Sequence, residues 1–212
     1  MSFILTFLLL IMIAACVGMA YNEGMWTNAI RLINVVTAAL LATNFFEPLA
    51  AWLQSMMPSA TYLCDFASLW VLFIVSVLVL SEVTNWVSQV SVKFLKIVDQ
   101  IGGGFFALWI GYVMVCFTMM TLHTAPMSRT FLFGGFQPEQ RMFFRLAPDR
   151  DWLGFMQKMS LGPFSSFATD AETKQENYVF DPQGEFMLKY ASRRKMLEDQ
   201  IAANGALLSD GK

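Results

Sequence analysis

The chain has 212 residues, 56% of them hydrophobic and only 14% charged, against about 25% charged in an ordinary soluble domain. A formal charge of -2 with no basic patch argues against nucleic acid as a partner. Charge is also unevenly placed: residues 1–122 carry only Arg31, Lys93 and Lys96 as bases and Glu23, Glu47, Asp65, Glu82 and Asp99 as acids. The sequence therefore divides into a membrane domain, residues 1–122, and a polar tail, residues 123–212. Cys16, Cys64 and Cys116 show no CxxC or Cys/His spacing, so no metal site or disulfide framework is expected.

A membrane helix needs about 20 mostly apolar residues, and four stretches supply them. The first, residues 2–21, is uncharged throughout. Ile13, Ala14, Ala15 and Cys16 resemble a lipoprotein cleavage box, but no Lys or Arg precedes the apolar run as in a secretory signal, so this stretch is expected to remain as a span. The second covers residues 26–52, with Arg31 near its start, and Pro48 and the stretch over residues 54–60, with Pro58, are expected to end it. The third covers residues 66–80 and extends to about 86. Then Val83, Val87, Val90, Phe94, Ile97 and Ile101 recur every three or four residues, with Ser88, Gln89, Ser91, Lys93, Lys96 and Gln100 filling most of the other face. That pattern predicts an amphipathic helix before the fourth span, either lying in the membrane interface or continuing span three. The fourth span covers residues 101–122 and is closed by Pro126.

The tail reads as mainly helical. One helix is expected near Pro138, Glu139 and Gln140, running through Met142, Phe143 and Phe144. A second begins near Pro148, with Trp152, Phe155, Met156 and Met159 on one face, and ends at Gly162 and Pro163. Residues 165–177 look loop-like. A last helix is expected over residues 182–203, with Phe186, Tyr190, Leu197 and Ile201 on one face, and residues 205–212 are expected to fray. These apolar faces need cover from one another, from the membrane surface or from a partner. The expected fold class is thus an all-α integral membrane protein: four transmembrane helices, an amphipathic helix before the fourth, and a small, mainly helical extramembrane tail.

Basic residues in short loops set orientation. Arg31 at the first link and Lys93 and Lys96 at the third favour the cytoplasm for those two links, which places both termini on the periplasmic side. Arg129 and Arg141 count in the other direction.

Asp99, Gly103, Ala107 and Gly111 are four residues apart and share one helix face. A small residue at every fourth position in an apolar segment lets membrane helices bring their backbones together, so this is a helix-packing motif, with Asp99 at the water boundary. Between spans one and two, Gly18 and Gly24 flank Tyr21, Asn22 and Glu23. These two patterns, with Phe46, Glu47, Pro48, Leu49 and Ala50 at the end of span two, resemble the colicin V production protein family, often called CvpA, over about residues 1–122. In that family a Gly, a short polar and usually basic stretch and another Gly open span two, and an Asp followed by small residues leads into span four. Here Glu23 stands where arginines are usual, and Ala107 replaces a common Gly. The resemblance implies a bacterial inner-membrane protein associated with toxin production or export and with a robust cell envelope. It implies no defined reaction.

Arg31, Asn34, Glu82, Asn85 and Asp99 all fall toward the end of the bundle that carries links one and three. Two arrangements fit: an interhelical polar cluster, such as Arg31 with Glu82 or Asp99, or separate side chains solvated at headgroup level. No catalytic constellation occurs: there is no GxSxG, Walker loop, HExxH or dinucleotide fingerprint. Gly102, Gly103 and Gly104 lack the Lys of a phosphate loop. The single histidine, His123, sits at the end of span four, where a polar residue needs no special role. The sequence thus points to a non-enzymatic protein without cofactor or metal. Its expected partners are the lipid bilayer and, through the tail, other envelope proteins or a second copy. The role is accessory or structural; the alternative is a channel or transporter subunit that oligomerises through the small-residue face of span four.

Overall fold

A computed structural model describes residues 3–21, 23–88, 92, 94–126, 143–144, 146–162, 180–181 and 183–209. Among these residues every element is helical: α1 (Phe3–Ala20), α2 (Gly24–Met56), a single 3-10 turn (Pro58–Ala60), α3 (Thr61–Val87), α4 (Lys96–Thr124), α5 (Pro148–Ser160) and α6 (Phe186–Ser209). The first four long helices are each long and apolar enough to cross a membrane, and the chain is an all-α, multi-pass membrane protein.

Contacts between side chains fix the topology. Asn34 of α2 meets Thr84 of α3, and Gln54 meets Asp65, so α2 and α3 are antiparallel. Met25 and Asn28 meet Asp99 and Gly103, so α2 and α4 run parallel. Gly111 of α4 lies against Ile13 of α1, while Leu5 and Leu9 pack with Val115 and Met119, so α1 runs antiparallel to α4. Helix α4 is the centre, with α1 on one side and α2 on the other. The first and last ends of the bundle, Phe3 and Thr124, lie together, as an even number of crossings requires.

The core lies between α2, α3 and α4. Ala38, Ala39 and Ala42 are fully buried and let Phe73 stack on Phe117 at 4.6 Å between ring centres. Val71, Ile74, Val75, Leu78 and Val79 of α3 point outward and are more than half exposed. Water would not tolerate so wide an apolar surface, whereas lipid chains cover it at no cost.

Four elements differ, wholly or in part, from their sequence expectations. Helix α2 passes through Pro48 and runs 33 residues to Met56, about 50 Å at 1.5 Å per residue, so of the two expected stops only the stretch over residues 54–60 ends it. Phe46 and Ala50, buried on either side of the proline, hold the chain on course, and membrane bundles accommodate a proline inside a helix. No separate amphipathic helix occurs before the fourth span among the described residues. Its periodic positions are divided between the end of α3 and the start of α4, with Ser88, Val92, Phe94 and Leu95 outside any helix; residues 89–91 and 93 lie outside the described residues. Phe143 and Phe144, expected in a helix, adopt left-handed φ values of 53° and 55°, which no α-helix contains; residues 127–142 and 163–179 lie outside the described residues. Helix α6 begins at Phe186 and extends to Ser209, past the expected end at residue 203.

The tail helices use the bundle as their cover. Trp152 and Met156 of α5 and Phe186 and Tyr190 of α6 belong to the same buried cluster as Ala39, Phe46 and Phe117.

Candidate functional site: a three-helix knot and two tail anchors

The start of α2 is tied to both α1 and α4. Its N-cap residue, Glu23, makes no side-chain cap, leaving the first N–H groups of the helix without the usual local acceptor. The acceptor comes instead from α4: Asp99 Oδ1 receives the Met25 N–H at 2.8 Å. Asp99 also lies in the first turn of α4, so one carboxylate meets the positive ends of two helix dipoles. Gly24 has φ +79°, and a Cβ there would sit 2.9 Å from Asp99 Oδ2. One turn on, a Cβ at Gly103 would lie 3.3 Å from the Gly24 carbonyl carbon and 3.4 Å from Met25 N. Asn28, fully buried, closes the knot: its Nδ2 donates to Ala20 O at 2.7 Å and to Gly103 O at 3.1 Å, joining the end of α1 to α4.

Down the same face of α4, Ala107 is completely buried, and Gly111 approaches the Ile13 backbone so closely that a Cβ would stand 3.2 Å from its Cα. Asp99, Gly103, Ala107 and Gly111 thus all face neighbours within the chain. Gly18 differs. It is one turn inside α1, not in the turn, and a Cβ there would meet nothing within 4 Å.

The polar residues at this end do not form one cluster. Arg31 pairs with Glu23 at 2.5 Å and with neither Glu82 nor Asp99; a long arginine near a helix end folds its charge toward the boundary, where Glu23 waits. Asn34 Nδ2 donates to Thr84 Oγ1 at 2.8 Å. Asn34, Asn85 and Arg31 line an open polar cleft of about 190 Å³ between α2 and α3, together with Thr27, Ser81 and Ser88. Glu82 is exposed outside it, and Asp99 is occupied at the knot.

At the opposite end two anchors that no sequence pattern announced hold the tail. His123, fully buried, places Nε2 2.9 Å from Asp149 Oδ2 at the start of α5. Trp152 Nε1 donates to Thr43 Oγ1 at 3.2 Å, and Tyr112 OH donates to Asp151 Oδ2 at 2.9 Å. The second anchor is Asp65 of α3, buried to 5%. It accepts from Gln54 Nε2 at 3.0 Å, from Tyr190 OH at 2.9 Å and from the Arg193 guanidinium, whose second arm donates to Thr61 O. Burial, and after it the Asp65 charge, push the Tyr190 phenol well above its ordinary value. Among the described residues no group of three or more His, Cys, Asp or Glu is placed to hold a metal ion.

Removing Asp65 strands Arg193 beside the bundle. Breaking one side of a buried ion pair costs roughly 3–5 kcal/mol, so Asp65→Ala is expected to speed trypsin cleavage at Arg193, Arg194 and Lys195 by more than tenfold, since cleavage follows the population of the opened form. The same contact sets a pH limit. A phenol raised in the docked state contributes fully below the free value of about 10 and loses its contribution as pH rises through the docked value. Tryptic protection of α6 is therefore expected to fall above about pH 10, and Tyr190→Phe is expected to flatten that fall.

Residues 5–137 match the pattern of the family described as colicin V production protein. This is more than half of the chain. The chain belongs to the colicin V production protein family. The match contains the whole knot, both flanking glycines, the first span from Leu5 onward and the other three spans, and it continues past Leu122 into the first part of the tail. No curated protein and no solved structure is significantly similar to the chain.

Proposed function

We propose that this colicin V production family protein is a non-enzymatic accessory protein of the bacterial inner membrane. It stabilises the envelope and assists toxin production or export, with both termini and the docked tail on the periplasmic side. The observation that carries this reading is how the polar and small residues of the knot are used. Asp99 caps the start of α2 and Asn28 donates to Ala20 O and Gly103 O, so the polar groups at this end join three helices, leaving an architecture that displays a tail. The rival reading, a channel built by oligomerisation through the small-residue face of α4, loses its support because α1 and α2 of the same chain occupy that face.

A strain deleted for this protein and carrying a colicin V export system is expected to release less toxin activity and to grow less well in detergent. The purified protein in liposomes is expected to pass no ions. Normal release and growth together with a conductance would overturn the reading in favour of the channel. For orientation, a reporter active only in the periplasm, fused after Lys212, is expected to be active, and silence would place the tail in the cytoplasm.

A further inference from the structure

Helices α1 and α2 flank α4 and leave an open groove between them, about 520 Å³ in volume and lined by Cys16, Met19, Ala20, Glu23, Arg31 and Ile110. That volume is in the range of small-molecule sites, about 300–1,000 Å³. Its wall changes character along its length. Ile110 lies eleven residues along α4 from Asp99, about 16 Å at the helical rise, which is near half the thickness of a bilayer's hydrocarbon core. At the other end, level with the knot, stand one acid and one base, Glu23 and Arg31, paired at 2.5 Å with their side chains 39% and 40% exposed. The groove therefore has an apolar floor one leaflet deep and a mouth bearing one charge of each sign.

We propose that this groove is a binding site for a phospholipid with a zwitterionic, primary-amine headgroup, that is, a phosphatidylethanolamine. The Arg31 guanidinium donates to the lipid phosphate in the forked geometry that favours arginine for phosphates. The Glu23 carboxylate accepts from the lipid ammonium, and one acyl chain lies along Met19 and Ile110. An anionic lipid satisfies Arg31 but sets its charge against Glu23. A choline headgroup carries the positive charge but has no N–H to donate. Only the primary amine replaces both halves of the Glu23–Arg31 ion pair with charge-assisted hydrogen bonds. The site rests on the groove and its two charges and is independent of any role in toxin export.

The test uses the full-length protein, delipidated in mild detergent, and native mass spectrometry with added phosphatidylethanolamine, phosphatidylcholine or phosphatidylglycerol. Phosphatidylethanolamine is expected to be retained roughly tenfold more strongly than either, the effect of one charge-assisted hydrogen bond. Glu23→Gln is expected to erase the preference over phosphatidylglycerol, and Arg31→Gln to weaken retention of both phosphatidylethanolamine and phosphatidylglycerol. Both side chains lie at the surface, and an unchanged melting curve verifies that each variant is folded. In liposomes, a phosphatidylethanolamine with a photoreactive acyl chain is expected to cross-link to Met19 and Ile110 above the level at the lipid-facing residues Val75 and Leu78 of α3. Equal retention of the three lipids, a preference that survives Glu23→Gln, or cross-links spread evenly over α3 and the groove would each overturn the proposal.

Discussion

Gly24→Ala is expected to destabilise the protein by about 3 kcal/mol or more, whereas Gly18→Ala is expected to leave it unchanged or slightly more stable. The two glycines flank the same turn, and sequence reasoning treats them alike. Their surroundings are opposite. At Gly24 the backbone is left-handed, with φ +79°, which costs a residue with a side chain roughly 1–3 kcal/mol. The new Cβ also sits 2.9 Å from Asp99 Oδ2, so the carboxylate must shift, and its bond to the Met25 N–H is strained or lost. Losing that charge-assisted bond adds roughly 1.5–3 kcal/mol, and it uncaps α2. Gly18 is inside α1 with nothing within 4 Å of a Cβ, so alanine there only restores the ~0.5–1 kcal/mol that glycine costs in a helix. Thermal melts in mild detergent check both. Asp99→Ala is expected to reproduce the hydrogen-bond part of the Gly24→Ala loss, and Asp99→Asn, which keeps a carbonyl acceptor, to recover some of that part. Equal behaviour of Gly18→Ala and Gly24→Ala would remove the knot from its place as the restraint on α2.

What could be read in the sequence followed from periodicity and composition. Four apolar runs gave four spans, the small residues four apart gave one face of α4, and the proline, acids and aromatic spacing near Pro148 gave α5 and its buried Trp152 and Met156. What could not be read was pairing over distance. Nothing in the spacing of Asp99 says that its carboxylate caps a helix beginning 74 residues earlier at Met25. Charge alone offered Arg31 a choice of acids, and the choice fell on Glu23 because the side chain folds back along its own helix. Pro48 carries a strong stop signal in water-soluble chains; in α2 the packing of Phe46 and Ala50 outweighs it. His123 looked unremarkable because its partner, Asp149, lies on a separate helix of the tail.

That His123–Asp149 contact carries the second large effect. Asp149→Ala is expected to release α5 from the bundle while leaving the four spans assembled. The two side chains are 0% and 1% exposed, and removing the carboxylate takes away the buried hydrogen-bond partner of Nε2, which costs roughly 1–3 kcal/mol. Asp149 also sits in the first turn of α5, where a negative charge favours the helix, so its loss weakens docking and helix together. Once α5 lifts, Trp152 leaves Phe117 and Thr43 and meets water. Hydrogen exchange is expected to show faster exchange across residues 148–160, with the amides of α2 and α4 around the knot unchanged. The double variant His123→Leu with Asp149→Leu separates a pairing effect from simple loss of polarity, since two apolar side chains leave no unpartnered buried polar group behind. It is expected to hold α5 better than Asp149→Ala alone. If the double variant instead loses as much protection as the sum of both single changes, the two residues act independently, and α5 is held by Trp152 and Met156 rather than by the His123–Asp149 contact.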